Sequence, residues 1–400
     1  MIYLAGAVGF LVALLVSVML HEGGHFFTAR HYGMKATQFF VGFGPTVFSR
    51  QRGETEYGIK AIPAGGFVKI IGMTSLEEVE PGDEDRAFYR QPARRKVIVL
   101  AAGSTMHLII AVVLVLGATF AIGTVAEKNP SVGALSCVVP TVKDACTPTS
   151  PVSPAQQAGL LAGDRVVAID GSPVPDVTAF QTAVRAAAGR ALTVTVERGG
   201  ARRDLQVTPV PATRPSLTTP RQDVQVGAVG VALAANYGTQ RQGPVASLRA
   251  SGTLLQQFMV GIKTTVTTKL GSVTRLYSAN RDPAGLVGIV GAGRISGEVL
   301  ASTETAGVKA LTFVLIVASL NLFVGLFNLL PLLPLDGGHI AVVLYESARD
   351  KLRRLRGYRG PLQRVDYQRL LPLTYGVAGT FLLLTLFILG ADLVNPIRIT

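Results

Sequence analysis

The feature that most constrains this chain is a group of ionisable residues inside an apolar run, Leu20-His21-Glu22-Gly23-Gly24-His25-Phe26. An ionisable side chain at bilayer depth costs roughly 2.5 kcal/mol or more on the insertion scale, so it faces a protein interior or a water-filled cavity. His21 and His25 are four residues apart, about 40° around a helix and roughly 6 Å along it, so both imidazoles leave the same face and one metal ion can join them. Glu22 lies about 100° away, in reach of a water on that metal without being a ligand itself. This is the H-E-x-x-H arrangement, in which the glutamate is a general base and the metal is Zn2+. In lipid, three such groups left unpaired would have no solvent to satisfy them.

The chain has 400 residues, 48% of them hydrophobic, and a mean hydropathy of +0.41. That is enough for several membrane helices and one compact domain outside the lipid. Apolar runs long enough to span occur at about Ile2–Phe27, Val97–Ile122, Val308–Leu330 and Leu371–Leu393. The first run has no basic region ahead of it and leads into the histidines rather than a small-residue cleavage site, so it is expected to stay attached rather than act as a signal peptide. The net charge of +13 would suggest nucleic acid in a soluble protein. Here the basic residues gather between spans three and four (Arg349, Lys351, Arg353, Arg354, Arg356, Arg359, Arg364, Arg369) and before span two (Arg94, Arg95, Lys96), the positive-inside pattern. The expectation is a multi-pass protein of the inner (plasma) membrane in contact with anionic lipid and binding no nucleic acid. Both termini and the long segment between spans two and three are extracytoplasmic, and the histidine motif lies near the cytoplasmic side.

Between the first two spans, Gln38–Ile71 alternates apolar and polar residues around Gly and Pro, as short β-hairpins do. An unpaired edge there would accept an extended peptide by strand addition. Leu76–Arg86 is acidic. His107, inside span two, reads as a packed or hydrogen-bonded histidine in preference to a further ligand, and His31 and His339 as residues with water nearby. In the exterior segment, Cys137 and Cys146 are close enough in sequence for a disulfide, with two free thiols as the alternative. The stretch Ser153-Pro154-Ala155-Gln156-Gln157-Ala158-Gly159-Leu160, followed by Gly163-Asp164, Ile169-Asp170-Gly171, a helical run Val177–Ala188 and a strand Leu192–Glu197, resembles a PDZ domain. Such domains capture peptides by strand addition; the alternative is that this copy only blocks access to the membrane site. Ala212–Asp223 reads as a linker and Val245–Leu276 as an interfacial amphipathic helix. The glycines of Gly285–Gly293 do not have the dinucleotide-binding spacing.

Span three ends Asn328-Leu329-Leu330-Pro331-Leu332-Leu333-Pro334-Leu335-Asp336-Gly337-Gly338-His339. Asp336 needs a cation at that depth, and with His21 and His25 it would make a two-histidine, one-carboxylate zinc site with a position open to water. Taken together, the HEGGH helix, the hairpin segment, the PDZ-like insert and the NLLPLLPLDGG ending resemble the site-2 proteases, intramembrane zinc metalloproteases, in the bacterial regulator-of-sigma-E branch. The resemblance implies a polytopic α-helical membrane protein with about four transmembrane helices, a membrane-associated β-hairpin region and an inserted α/β PDZ domain. It divides the chain into a first membrane half (1–125), the PDZ domain (126–212), a linker with an amphipathic segment (213–307) and a second membrane half (308–400). By that resemblance His21, His25 and Asp336 are zinc ligands, Glu22 the catalytic glutamate and Asn328 a substrate-binding residue. The substrates it implies are single-span membrane proteins such as anti-sigma factors already trimmed by another protease, cut in regulated intramembrane proteolysis. The sequence departs from the family pattern at Pro334, which stands one place late, at His107, where relatives often carry asparagine, and in having one clear PDZ copy where some relatives have two. A non-catalytic membrane anchor displaying a PDZ domain and a metal transporter are the alternatives. Intact Glu22 and Asp336 argue against the first, and the absence of an internal repeat against the second.

Overall fold

The computed structural model describes residues 1–73, 79–141, 144–217, 219, 222–278, 281–282, 285–360 and 365–397. Parts of the acidic stretch (76–78) and of the expected linker (218, 220, 221), together with Arg364, lie outside the described residues. In chain order the elements are α1 (Ile2–His31), β1 (Ala36–Arg52), β2 (Thr55–Ile70), α2 (Ala93–Ala121), β3 (Thr124–Leu135), α3 (Pro154–Gln157), β4 (Arg165–Ile169), β5 (Ser172–Pro173), α4 (Val177–Arg185), β6 (Leu192–Arg198), β7 (Ala201–Val207), β8 (Val210–Pro215), β9 (Asp223–Ala228), β10 (Val231–Gln240), α5 (Pro244–Thr264), α6 (Ile289–Ala301), α7 (Ala306–Asn328), α8 (Asp336–Leu355) and α9 (Tyr367–Val394). The chain forms two compact units, Met1–Gly123 with Arg241–Thr400, and Thr124–Gln240.

In the first unit α1, α2, α7 and α9 are long and apolar enough to cross a bilayer, as the hydropathy predicts. Apolar contact gains little over lipid, so small residues decide where such helices touch. A Cβ on Gly6 of α1 would lie 2.6 Å from Ser296 O of α6, and one on Gly297 would meet Tyr3. Near the other end of α1, the side chains of Phe26, Ala29, Met34, Ala36, Ile70, Val99, Leu100 and Val343 pack into one buried cluster, which joins α1 to β1, β2, α2 and α8. The end of α9 is tied to the start of α6 by a buried ion pair. Arg281 Nη2 lies 2.8 Å from Asp392 Oδ1, and Asp392 Oδ2 accepts from the backbone N–H of Gly288 and Gly291.

β1 and β2 pair antiparallel, but each is bent back on itself. Phe39 faces Tyr57 on one side and Val68 on the other, while Tyr57 also faces Arg50. The result is four short runs in the order 66–70, 36–41, 55–59 and 48–52, which leaves 66–70 as an outer edge. The expected amphipathic helix over Val245–Leu276 is regular only to Thr264, beyond which the turns become π and then 3₁₀.

The second unit is longer than the 126–212 expected. Its sheet runs β10-β3-β4-β6-β7, so strands on both sides of the expected linker belong to it, and Val210–Pro215 and Asp223–Ala228 form a β8–β9 hairpin. Pro, Thr and Arg content reads as linker, yet an edge hairpin tolerates Pro at its ends. Its core includes Val132, Leu160, Val166, Phe180, Leu192, Val194 and Val196. The Asp-Gly pair after β4 has φ of 48° and 75°, both positive as a tight hairpin turn requires. Cys137 and Cys146 are disulfide-bonded, and the loop they close is held by Arg214 Nη2 on Val139 O and Thr213 N on Pro140 O.

Asp164, of the Gly-Asp turn, is almost wholly buried and accepts from Arg198 Nε at 2.6 Å, Arg198 Nη2 at 2.7 Å and Leu161 N. The Arg198 bonds hold its carboxyl below the ordinary carboxylate range. Because the folded value is depressed, the stabilisation is complete above the unfolded value of about 3.9 and is lost as pH falls through the folded one. Protection factors for amide hydrogen exchange across this unit, taken against the intrinsic rate at each pH, should therefore fall below about pH 4. Asp164→Asn should remove most of that acid dependence and cost about 2 kcal/mol at neutral pH.

Candidate active site

The HEGGH segment lies in the last third of α1, where Gly24 allows α2 to come close: a Cβ there would stand 2.6 Å from Ala102 O. His21 and His25 both turn toward that contact and are buried, with Nε2 atoms 3.2 Å apart. Asp336, the first residue of α8, brings Oδ2 to 3.5 Å from His21 Nε2 and 3.4 Å from His25 Nε2. Its helix starts there because Gly337 and Gly338 fit directly against the Leu329–Leu333 turn, where a Cβ on Gly338 would come within 2.5 Å of backbone.

These three atoms are the one group of donors among the described residues that could share a metal ion. A tetrahedral ion with bonds of about 2.0–2.1 Å has donor–donor edges of roughly 3.4 Å, and the observed triangle has sides of 3.2, 3.4 and 3.5 Å. Gly103 of α2 supplies a second test of fit. A Cβ on it would lie 2.7 Å from His21 Nε2 and closer still to His25 Nε2, so the hollow in front of both nitrogens exists only because this residue has no side chain.

Outer contacts orient the donors. His25 Nδ1 lies 2.7 Å from Val99 O, and a carbonyl only accepts, so Nδ1 carries the proton and Nε2 offers its lone pair to the hollow. His21 Nδ1 is buried without a hydrogen-bond partner among the described residues. Asp336 Oδ2 accepts from Asn328 Nδ2 at 3.0 Å and, at the long limit, from Ser104 Oγ at 3.5 Å. Glu22 stands outside the triangle and accepts through Oε2 from Val68 N–H at 3.1 Å, so the outer edge of the bent sheet meets this carboxylate.

His107 is not among the grouped donors. Its Nδ1 lies 2.8 Å from Asn321 Oδ1, and Asn321 Nδ2 donates to Ser17 Oγ and Val317 O, a buried chain across α2, α7 and α1. His31 is exposed, whereas His339 is half-buried with its Nδ1 shielded from solvent. Sequence reasoning missed Gly103, Val99 and Val68. Val99 and Val68 act through backbone atoms and carry no sequence signal, and Gly103 is one of many glycines in apolar runs.

Such a donor set, framed by helices of membrane length, is suited to hold a metal ion within a membrane-spanning fold. The chain belongs to peptidase family M50, whose profile matches residues 9–363. It is 38% identical over 416 residues to the zinc metalloprotease Rip1 of Mycobacterium tuberculosis, with 100% of both chains covered. The Rip1 protein of Mycolicibacterium smegmatis is 38% identical over 414 residues, again with 100% of both covered. A putative zinc metalloprotease of Nostoc sp. is 29% identical over 357 residues, 88% of this chain and 89% of that one.

A methyl group at Gly103 would occupy the hollow itself, so Gly103→Ala should lose nearly all bound metal while circular dichroism stays that of the native helices. Asn328→Ala removes an outer contact only and should weaken metal affinity about 10- to 100-fold. Metal content after dialysis against graded chelator measures both.

Proposed function

We propose that this protein is an intramembrane zinc metalloprotease that cuts a transmembrane segment of single-span, anti-sigma-factor-like membrane proteins. In this reading His21, His25 and Asp336 hold the zinc and Glu22 is the catalytic base. The observation that supports it most is the donor triangle, 3.2 to 3.5 Å on a side, beside a glutamate within helices of membrane length. The printed name of the Rip1 relatives, zinc metalloprotease, supports the choice of metal. Zinc held by these residues would lower the pKa of a bound water to about 7 and polarise a carbonyl.

The chain's own groups do the rest. Glu22 takes a proton from the attacking water and hands it to the leaving amide nitrogen, a role that requires its carboxylate free of the metal. A helical substrate hides its amides in its own hydrogen bonds and must be unwound first. The outer edge of residues 66–70 can take the unwound segment as an added strand, with the Val68 N–H passing from Glu22 to a substrate carbonyl. Asn328, one hydrogen bond from Asp336, is close enough to the same centre to hold a substrate amide through its carbonyl oxygen.

The second unit fits a PDZ role. β10 is an edge strand, and Val229–Leu233 and α4 line one groove of about 540 Å³, suited to a peptide added along β10. With the basic residues around α8 and before α2 on the cytoplasmic side, this unit and both termini are extracytoplasmic and the zinc site is near the cytoplasmic face of the plasma membrane.

Glu22→Gln should keep its zinc and lose about 10²- to 10⁴-fold in cleavage of a single-span substrate. Asp336→Ala should lose zinc as well, since two protein ligands remain. A Glu22→Gln protein that still cleaves refutes the mechanism, and wild type that holds zinc yet cuts no membrane substrate refutes the protease reading. Deletion of residues 124–240 should let substrates with intact exterior domains be cut. Unchanged selectivity would remove the gating role from this unit.

A further inference from the structure

We propose that α8 is a docking surface for an anionic lipid bilayer, with its exposed apolar arc in the acyl boundary and its basic flank on lipid phosphates. α7 ends at Asn328 and α9 begins at Tyr367, both membrane-length helices, so the segment that joins them, α8 included, returns to one surface of the membrane. Twenty residues at 1.5 Å each make α8 about 30 Å long, far too charged toward its end to cross. Its first residues are fixed by the Gly337 and Gly338 contacts described above, so the helix extends from an anchored end.

At 100° per residue, Leu344, Leu355, Ala348, Leu352 and Tyr345 fall within one arc of about 100°. Leu344, Tyr345, Leu352 and Leu355 are 54%, 60%, 48% and 76% exposed, an open apolar stripe that a water-facing helix would not keep. Lys351 and Arg354 border the arc on one side, and Arg349, Arg353 and Arg356 on the other. An apolar stripe between two basic flanks is the pattern of a helix lying in an anionic interface. On the Lys351 side a cleft of about 780 Å³ separates α8 from the start of α2, lined by Arg90 and Lys96 across from Lys351 and Arg354. Its two acidic residues, Glu346 and Asp350, are outnumbered by these four basic ones, so the cleft carries a net positive charge and suits a phosphate headgroup. Charge complementarity therefore selects a lipid surface over an uncharged protein partner.

The full chain is tested in lipid nanodiscs with a nitroxide on Leu352→Cys or, if that variant misfolds, on Leu344→Cys; the native cysteines are in their disulfide. Collision with a water-soluble nickel chelate is read in phosphatidylcholine alone and with phosphatidylglycerol added. Anionic lipid should bury the label. Lys351→Glu with Arg354→Glu should shift the docked-to-undocked ratio back by at least roughly 25-fold, taking each basic charge lost as about a factor of five, with the introduced carboxylates adding repulsion. A label open to the chelate in both bilayers overturns the proposal, as does one equally buried in both and indifferent to charge reversal. Spin–spin broadening would mean that a second copy covers the arc, and overturns it too. No readout uses cleavage, so this result and that for Glu22 stand apart.

Discussion

At Gly24 the backbones of α1 and α2 approach until a side chain at that position would collide with Ala102. This distance sets everything around it. It brings Val99 O within hydrogen-bond reach of His25, and it brings Gly103 up to both imidazoles. α7 approaches another side of α2 by the same device, since a Cβ on Gly325 would be 3.0 Å from the His107 Cβ and 3.1 Å from Ser104 O. Small residues let helix backbones come together where apolar contact alone gains little over lipid. Here they also let short side chains from distant parts of the chain converge on one point.

The polar groups gathered at that point are each satisfied from a different element. α2 orients His25, the chain before α8 orients Asp336 through Asn328, and the edge of the β1–β2 sheet holds Glu22. Glu22 and the histidines are neighbours in sequence yet answer to different parts of the fold. A change in the sheet edge can thus act on the base without disturbing the donors, and a change in α2 can do the reverse. The chain Ser17–Asn321–His107 sits beside the donors as a separate buried network and fastens α1, α2 and α7 together.

Much of this was legible in the sequence. An i, i+4 histidine pair in an apolar run, a distant aspartate after two prolines and four hydropathic spans are properties of local spacing, and the structure brings His21, His25 and Asp336 within 4.8 Å of one another. What was not legible depends on backbone atoms or on absent ones. Val68 contributes an N–H and Val99 a carbonyl, which leave no mark in residue type, and Gly103 contributes an empty volume while standing in sequence as one glycine among many in apolar runs. The β8–β9 hairpin was misread as linker for a related reason. Its strands are short and rich in Pro, Thr and Arg, and they are recognised only once β10 is seen to pair with β3.

The ion pair of Arg281 and Asp392 has a consequence in time. Asp392 lies near the end of α9, and its carboxylate receives the N–H groups of Gly288 and Gly291 at the start of α6. α6 in turn packs on α1, the helix that carries the histidines. A chain still on the ribosome has α1 and α2 in place long before it has Asp392. The seat of α6 against the helix that carries the histidines is therefore closed only after α1, α2 and α7 have all been made.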